Sequence, residues 1–333
     1  MILTGFDCCA DLGEGSALLV EEVRPHQAKC ITMKEADFSF QADEPVSAGL
    51  GRIARQLVES AVHCIECPAP ARDEDVHGVR TVIKRLRAIL LLIGPVISEV
   101  SFRREDAHLK NAAGRLASSR EATIVRQTLA SLQKSRSNRR QRDALAAALA
   151  SLKQQAESEA ALEEAMNQVA QDLEQTGRRL PRLRVTASGW NAIEPGLHAT
   201  YRQGRRRMRA AFAHDDDEAF HRWRIRVKNF FYELQFIEPI CPQWLGGIVA
   251  DLKKLQGRLG ANNDLAVLRA LLQETPDAFG GTETVERVVE CLNAKSRRLK
   301  QACKPLGKAI FDEKPGRLVR KLGDQWNHWQ KQK

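Results

Sequence analysis

Apolar residues in this chain recur every third or fourth position rather than every second. Val79, Ile83, Leu86 and Leu90 share one helical face, and Leu145, Leu149, Leu152 and Ala156 share another. No proline occurs between Pro95 and Pro181, and the stretch from Arg120 to Gln175 is dominated by Ala, Leu, Glu, Gln, Lys and Arg. These are strong helix formers, so the stretch predicts two long helices turning near Ser135 to Arg140. Elsewhere Pro and Gly punctuate segments of about 15–22 residues with the same periodicity. No alternating strand pattern stands out beyond residues 1–45. The body is expected to be all-α.

The helical pattern repeats at long range. His77-Gly-Val-Arg80-Thr-Val-Ile-Lys84 matches His221-Arg-Trp-Arg224-Ile-Arg-Val-Lys228 at an offset of 144, and Ile93 and Pro95 meet Ile237 and Pro239 at the same offset. Leu109-Lys110-Asn-Ala-Ala-Gly114-Arg115-Leu116 matches Leu252-Lys253-Lys-Leu-Gln-Gly257-Arg258-Leu259 at 143. Upstream, Gly49-Leu50 with Arg55-Gln56 matches Gly196-Leu197 with Arg202-Gln203 at 147. Three collinear blocks at a nearly constant offset indicate a tandem duplication, with units at 46–185 and 186–332. An acidic segment, residues 1–45, precedes them and has no assigned role.

Composition sharpens this picture. The 333 residues carry 52 Lys+Arg against 42 Asp+Glu, a formal charge of +10. Residues 1–47 hold nine acids and three bases, a net of −6, which leaves +16 on the remainder. A strongly basic body calls for a polyanionic partner: nucleic acid, a membrane surface or a multiply charged phosphate. The 18 aromatics offer few stacking platforms for single-stranded nucleic acid. The longest apolar run, around Ala88 to Ile97, is too short to span a bilayer, and the N-terminus lacks a basic leader, so a soluble cytoplasmic protein is expected. Among eight cysteines, Cys64-x-x-Cys67 after His63 is the one metal-like spacing, and no second pair stands at zinc-ribbon distance. No Walker A loop, dinucleotide fingerprint or nucleophile elbow is present; Gly13-Glu14-Gly15 lacks the third glycine. No cofactor and no metal are expected.

The repeated motif concentrates the charge. At 100° per residue, His77, Arg80, Lys84 and Arg87 form one helical stripe opposite the apolar face, and His221, Arg224, Lys228 and Tyr232 form its equivalent. The preceding helix of the second unit adds Arg202, Arg205, Arg206 and Arg209 within about 100° of each other, whereas its counterpart keeps only Arg52 and Arg55. Like charges at i, i+3 and i+4 repel by a few tenths of a kcal/mol per pair. Such stripes, nearly free of interleaved acids, point to an anion site. Acidic turns precede both histidines (Asp73-Glu-Asp75 and Asp215-Asp-Asp217-Glu218) and are read as helix-capping groups rather than metal ligands. The histidines themselves are read as phosphate contacts, with a structural hydrogen bond as the alternative.

At these residues the chain resembles the CHAD domain (conserved histidine α-helical domain) family. The resemblance lies in the twin His-x-x-Arg-x-x-x-Lys blocks, in Tyr201-Arg-Gln-Gly-Arg205-Arg-Arg and in Leu252-Lys-Lys-Leu-Gln-Gly-Arg-Leu-Gly260-Ala-Asn-Asn-Asp264, and it covers about 46–332. It implies two four-helix bundles related by a pseudo-twofold axis, with a basic saddle or cavity between them. It further implies binding of inorganic polyphosphate, and some members associate with polyphosphate granules or are fused to CYTH (triphosphate tunnel) enzymes. Carried over by position, the implied contacts are His77, Arg80, Lys84, Arg87, Lys110 and Arg115 in the first unit, beside Arg52 and Arg55 of the basic helix. In the second unit they are Arg202, Arg205, Arg206, Arg209, His221, Arg224, Lys228, Lys253, Lys254 and Arg258. The chain departs from the family at Leu116-Ala-Ser-Ser-Arg120-Glu121, where Asp is usual in place of Glu121, and at Asn229, where Arg is common. Arg226 instead adds charge on a different face. The expected function is a non-catalytic polyphosphate-binding protein. The alternatives are an enzyme or accessory module acting on polyphosphate or triphosphate compounds, with Glu233 and Asp264 as scattered carboxylates, and a basic helical nucleic-acid-binding protein.

Overall fold

The computed structural model describes residues 38–66, 73–134, 143, 145–146 and 159–332. Among the described residues there are ten α-helices and no strand, so the all-α expectation holds. The helices are α1 (Val46–Ile65), α2 (Asp73–Ile93), α3 (Glu99–Arg115), α4 (Ala117–Lys134), α5 (Glu159–Arg179), α6 (Trp190–His214), α7 (Asp217–Ile237), α8 (Pro242–Glu274), α9 (Thr282–Phe311) and α10 (Pro315–Gln330). The turn expected near Ser135 to Arg140 lies outside the described residues, and α4 and α5 are the flanking helices.

Two helices match in their boundaries. α2 and α7 are both 21 residues long and start 144 residues apart, at Asp73 and Asp217. Each runs directly into a proline-bearing 3-10 turn, Gly94-Pro95-Val96 and Glu238-Pro239-Ile240. A proline two residues past the helix lacks an N–H and disfavours helical backbone at the residue before it, so both helices stop at the same register. The next helix differs between the units. In the first it breaks at Leu116, between α3 and α4; in the second, α8 runs unbroken for 33 residues.

Capping follows the acidic turn before α7. Asp216 is the N-cap of α7, its Oδ1 accepting from the Ala219 N–H at 2.6 Å. Asp215 adopts a left-handed φ of 51° to end α6, and its carboxylate meets Lys300 at 3.0 Å. Asp217 pairs with Arg269. The whole turn is thus engaged in capping and ion pairing.

Two hydrophobic cores hold the helices together. The central core combines α1, α2, α3, α5, α6, α7, the first half of α8, the end of α9 and α10. Its face of α2 is the expected one, with Val79, Ile83, Leu86 and Leu90 all buried. A distal core joins α4, Leu145, the second half of α8 and the first half of α9. α2 and α6 approach each other closely at Gly196, where an added Cβ would sit 1.9 Å from the Leu92 carbonyl oxygen. Residues 38–45 pack onto the central core. Phe40 is buried, its N–H donates to the Phe236 carbonyl at 2.8 Å, and its ring lies edge-on to Trp326.

Candidate functional site

α2 and α7 pack against each other, and both cover the core with one face. Their polar stripes therefore meet where the helices cross. Lys228 on α7 lies within the fields of Arg224 on its own helix and of Lys84 and Arg80 on α2. Burial, followed by the repulsion of Arg224, Lys84 and Arg80, lowers the Lys228 pKa to about 6, and Asp264 on α8 opposes the shift. Arg224 is likewise disfavoured by burial, with Asp264 as the main opposing charge. The equivalent lysines of the two repeated motifs thus form one cationic centre, which Asp264 offsets from the α8 side. A cavity of about 160 Å³ between α4 and α8, with Asp264 and Lys295 in its wall, opens beside it.

The two arginines of this centre are held differently. Arg80 Nη1 donates to the carbonyls of Ala113 and Leu116, both at 2.8 Å. Those carbonyls stand at the α3 C-terminus, where helical partners run out, so Arg80 supplies the missing donors. The equivalent stretch of α8 is continuous helix, and its carbonyls are taken up within the helix. Arg224 extends over Gly260 there, and its buried Nε has no hydrogen-bond partner. A one-turn difference in helix continuity thus leaves one arginine bound to backbone and its twin with a buried donor unmatched.

The histidines also diverge. His77 is exposed. The His221 Nδ1 lies 2.5 Å from Asn263 Oδ1, and an amide oxygen can only accept, so Nδ1 carries the proton and Nε2 is the ring atom left for a ligand. This is a structural hydrogen bond, the alternative reading of that histidine.

The remaining residues expected at the site disperse. Arg52 binds Glu44, the Ser39 carbonyl at 2.7 Å and Gln56, which fixes the 38–45 segment to α1. Arg55 is exposed. Arg87 and Lys110 clamp Asp106 at 2.9 and 2.7 Å. Burial works to raise the Asp106 pKa, but Lys110 and Arg87 together outweigh it and hold the group below its ordinary value. Arg115 reaches Gln168 at 2.8 Å and Asp172 at 3.3 Å. Arg202 lines a groove of about 690 Å³ between the start of α6 and α10, with His198 and Arg320. Arg205 donates to the Asp312 carbonyl at 3.2 Å, and Arg258 to the Ala302 carbonyl at 2.5 Å. Lys254 pairs with Asp251, whereas Lys253, Arg206 and Arg209 are exposed.

Three contributors carry no local sequence signal. Asn263 and Asp264 reach the centre from α8, and only the Gly260-to-Asp264 stretch of the family resemblance marked them. Arg85 stacks over Phe38 and Tyr232, at 5.0 and 6.0 Å from the ring centroids. Cys64 Sγ lies 3.4 Å from Asp75 Oδ1, and Cys67 falls outside the described residues, as does residue 1–37. Among the described residues, no three His, Cys, Asp or Glu side chains gather as a metal site, and no helix is long and apolar enough to cross a membrane.

Comparison with known proteins agrees with this fold. The family model for the CHAD domain matches residues 52–273. The crystal structure of the CHAD domain from the plant Ricinus communis superposes with a TM-score of 0.57 at 19% sequence identity, covering 82% of this chain and 95% of that one. No curated protein matched. With two-thirds of its length matched by the family model and its helices following a solved member of the same fold, the chain belongs to the CHAD domain family.

Proposed function

We propose that this chain is a non-catalytic binding protein for long-chain inorganic polyphosphate, with Lys84, Lys228, Arg80 and Arg224 at the centre of its site. The observation that carries this reading is the lysine pair. Two lysines at equivalent positions of α2 and α7 are brought together and half-buried beside two arginines, with Asp264 among the charges that oppose them. Gathering like charges at partial burial is unfavourable unless an anion completes the cluster. Guanidinium groups fork onto non-bridging phosphate oxygens while lysines act as point charges, so the set suits a repeating phosphate chain. Family membership supports the same ligand class, since the resemblance implies polyphosphate.

The non-catalytic part of the proposal is supported by the placement of the carboxylates. Metal-assisted phosphoryl transfer needs acids converging on one phosphate. Asp264 faces the lysine pair, whereas Glu233 is fully buried, accepts from Thr200 at 2.7 Å and faces Arg226 on another side of α7.

Calorimetric titration with long-chain polyphosphate tests the reading, using the wild type and Lys84→Gln/Lys228→Gln. Binding is expected in the wild type and a loss of at least tenfold in the double variant. With about four cations engaged, log K should fall with log salt at a slope of about −3, the polyelectrolyte signature. Undiminished affinity in the double variant would remove the site assignment. If duplex DNA competes equally at matched salt, the nucleic-acid reading replaces this one. Phosphate release in Mg²⁺ or Mn²⁺ would replace it with the enzymatic one.

A further inference from the structure

A second group of arginines lies on the other flank of α7. α6 and α7 form an antiparallel hairpin about Asp215 and Asp216, which brings Arg206 and Arg207 on α6 level with Arg226 on α7. α2 packs across the same two helices and carries Arg87 to the group. Arg226 stands about 200° around α7 from Arg224, so the two clusters face opposite flanks of one helix.

This second group has little charge compensation. Arg87 is committed to Asp106. Among the described residues, Arg206, Arg207 and Arg226 form no ion pair. Arg226 is half-buried, and burial, followed by Arg207, Arg87 and Arg206, disfavours its charge against the pull of Glu233. Glu233 is itself pushed toward its neutral form by complete burial, and its Oε2 has no hydrogen-bond partner. A merely solvated basic face has acids interleaved with its bases; three arginines from two helices meeting beside one fully buried carboxyl do not fit that description. Ile225, between Arg224 and Arg226 in sequence, is 38% exposed. The surface of α7 between the two clusters is therefore open, and a helix with its side chains is only about 10–12 Å across.

We propose that Arg206, Arg207 and Arg226 form a second phosphate pocket, which a polyphosphate chain occupies together with the Lys84–Lys228 centre by crossing α7 over Ile225. The proposal rests on the polyphosphate reading above and extends it. Joining two pockets through one chain makes the second contact intramolecular, so a chain long enough to bridge them gains affinity that a short one does not. Chain-length selection then follows from the separation of the pockets.

The test is titration of the full chain with tripolyphosphate and with long-chain polyphosphate. The variants are Arg206→Gln/Arg207→Gln, the single Arg226→Gln and a charge-matched control, Arg297→Gln/Arg298→Gln, on exposed positions of α9. The Arg206/Arg207 variant is expected to weaken long-chain binding at least tenfold and to reduce tripolyphosphate stoichiometry from two to one, while the control changes affinity less than threefold. Arg226→Gln is expected to reproduce the binding loss with an unchanged or higher melting temperature, which separates a lost contact from a lost fold. Equal effects of the Arg206/Arg207 variant and the control overturn the second pocket. If the wild type binds neither ligand, the polyphosphate reading fails first. If binding depends on Lys84 and Lys228 but not on these arginines, only the bridge fails.

Discussion

Lys228 ionises differently in the folded and unfolded chain, and the sign of that difference can be worked out. Burial and its cationic neighbours Arg224, Lys84 and Arg80 bring the folded pKa to about 6, despite Asp264. The unfolded value is near 10.4. Between these values the unfolded chain binds the extra proton, so the stability of the ligand-free protein rises with pH from about 6 to about 10.4. Lys228→Gln should flatten that part of the profile in urea titrations run across the window. An anion at the centre restores the charged lysine, so polyphosphate binding near pH 8 should take up close to one proton and weaken toward tenfold per pH unit. Calorimetry in buffers of differing ionisation enthalpy reads the uptake directly, and its absence would show that the phosphate chain sits elsewhere. Sequence periodicity alone placed Lys228 and Lys84 on polar stripes. Their meeting was not legible, because it depends on the angle at which α2 crosses α7.

At the level of elements, α2 and α7 share their length and their ends, since they obey identical local signals: an acidic start, a 3.6-residue apolar period and a proline stop. The break between α3 and α4 was not legible, and it changes what the motif arginines do. Arg80→Ala removes two hydrogen bonds to carbonyls at the α3 end and should cost about 1–3 kcal/mol of stability. Arg224→Ala should leave the ligand-free protein as stable or more so while weakening polyphosphate binding. Denaturant midpoints of the two variants, measured side by side, distinguish these roles; equal destabilisation would contradict the asymmetry. The basic face of α6 was legible as a charge pattern but not as a site. Arg202, Arg205 and Arg206 go to a groove, to the Asp312 carbonyl and toward Arg226, because side chains on one helical face still diverge along a 25-residue helix. The α2–α6 contact has its own test. Gly196→Ala drives a methyl into the Leu92 carbonyl, and separating the helices should cost about 1–3 kcal/mol or more, seen as a lower melting temperature.

For the whole molecule, the net charge pointed to a polyanion, and the repeat localised that charge. The pattern of apolar residues foretold an all-α body but not how many cores it would contain. The boundary near residue 186 is a seam in the sequence only. Helices from both sides of it build the central core, and the distal core joins α4 to α8 and α9. Either half alone would therefore present to water the apolar faces that the other half covers, and residues 46–185 expressed alone should aggregate. The intact chain should melt as one cooperative unit. All five tryptophans lie in or against the central core, whereas far-ultraviolet ellipticity reports every helix. Coincident curves from the two probes would show that the described helices form a single folding unit. Separated curves would mean that the distal core melts on its own, as an independent foldon.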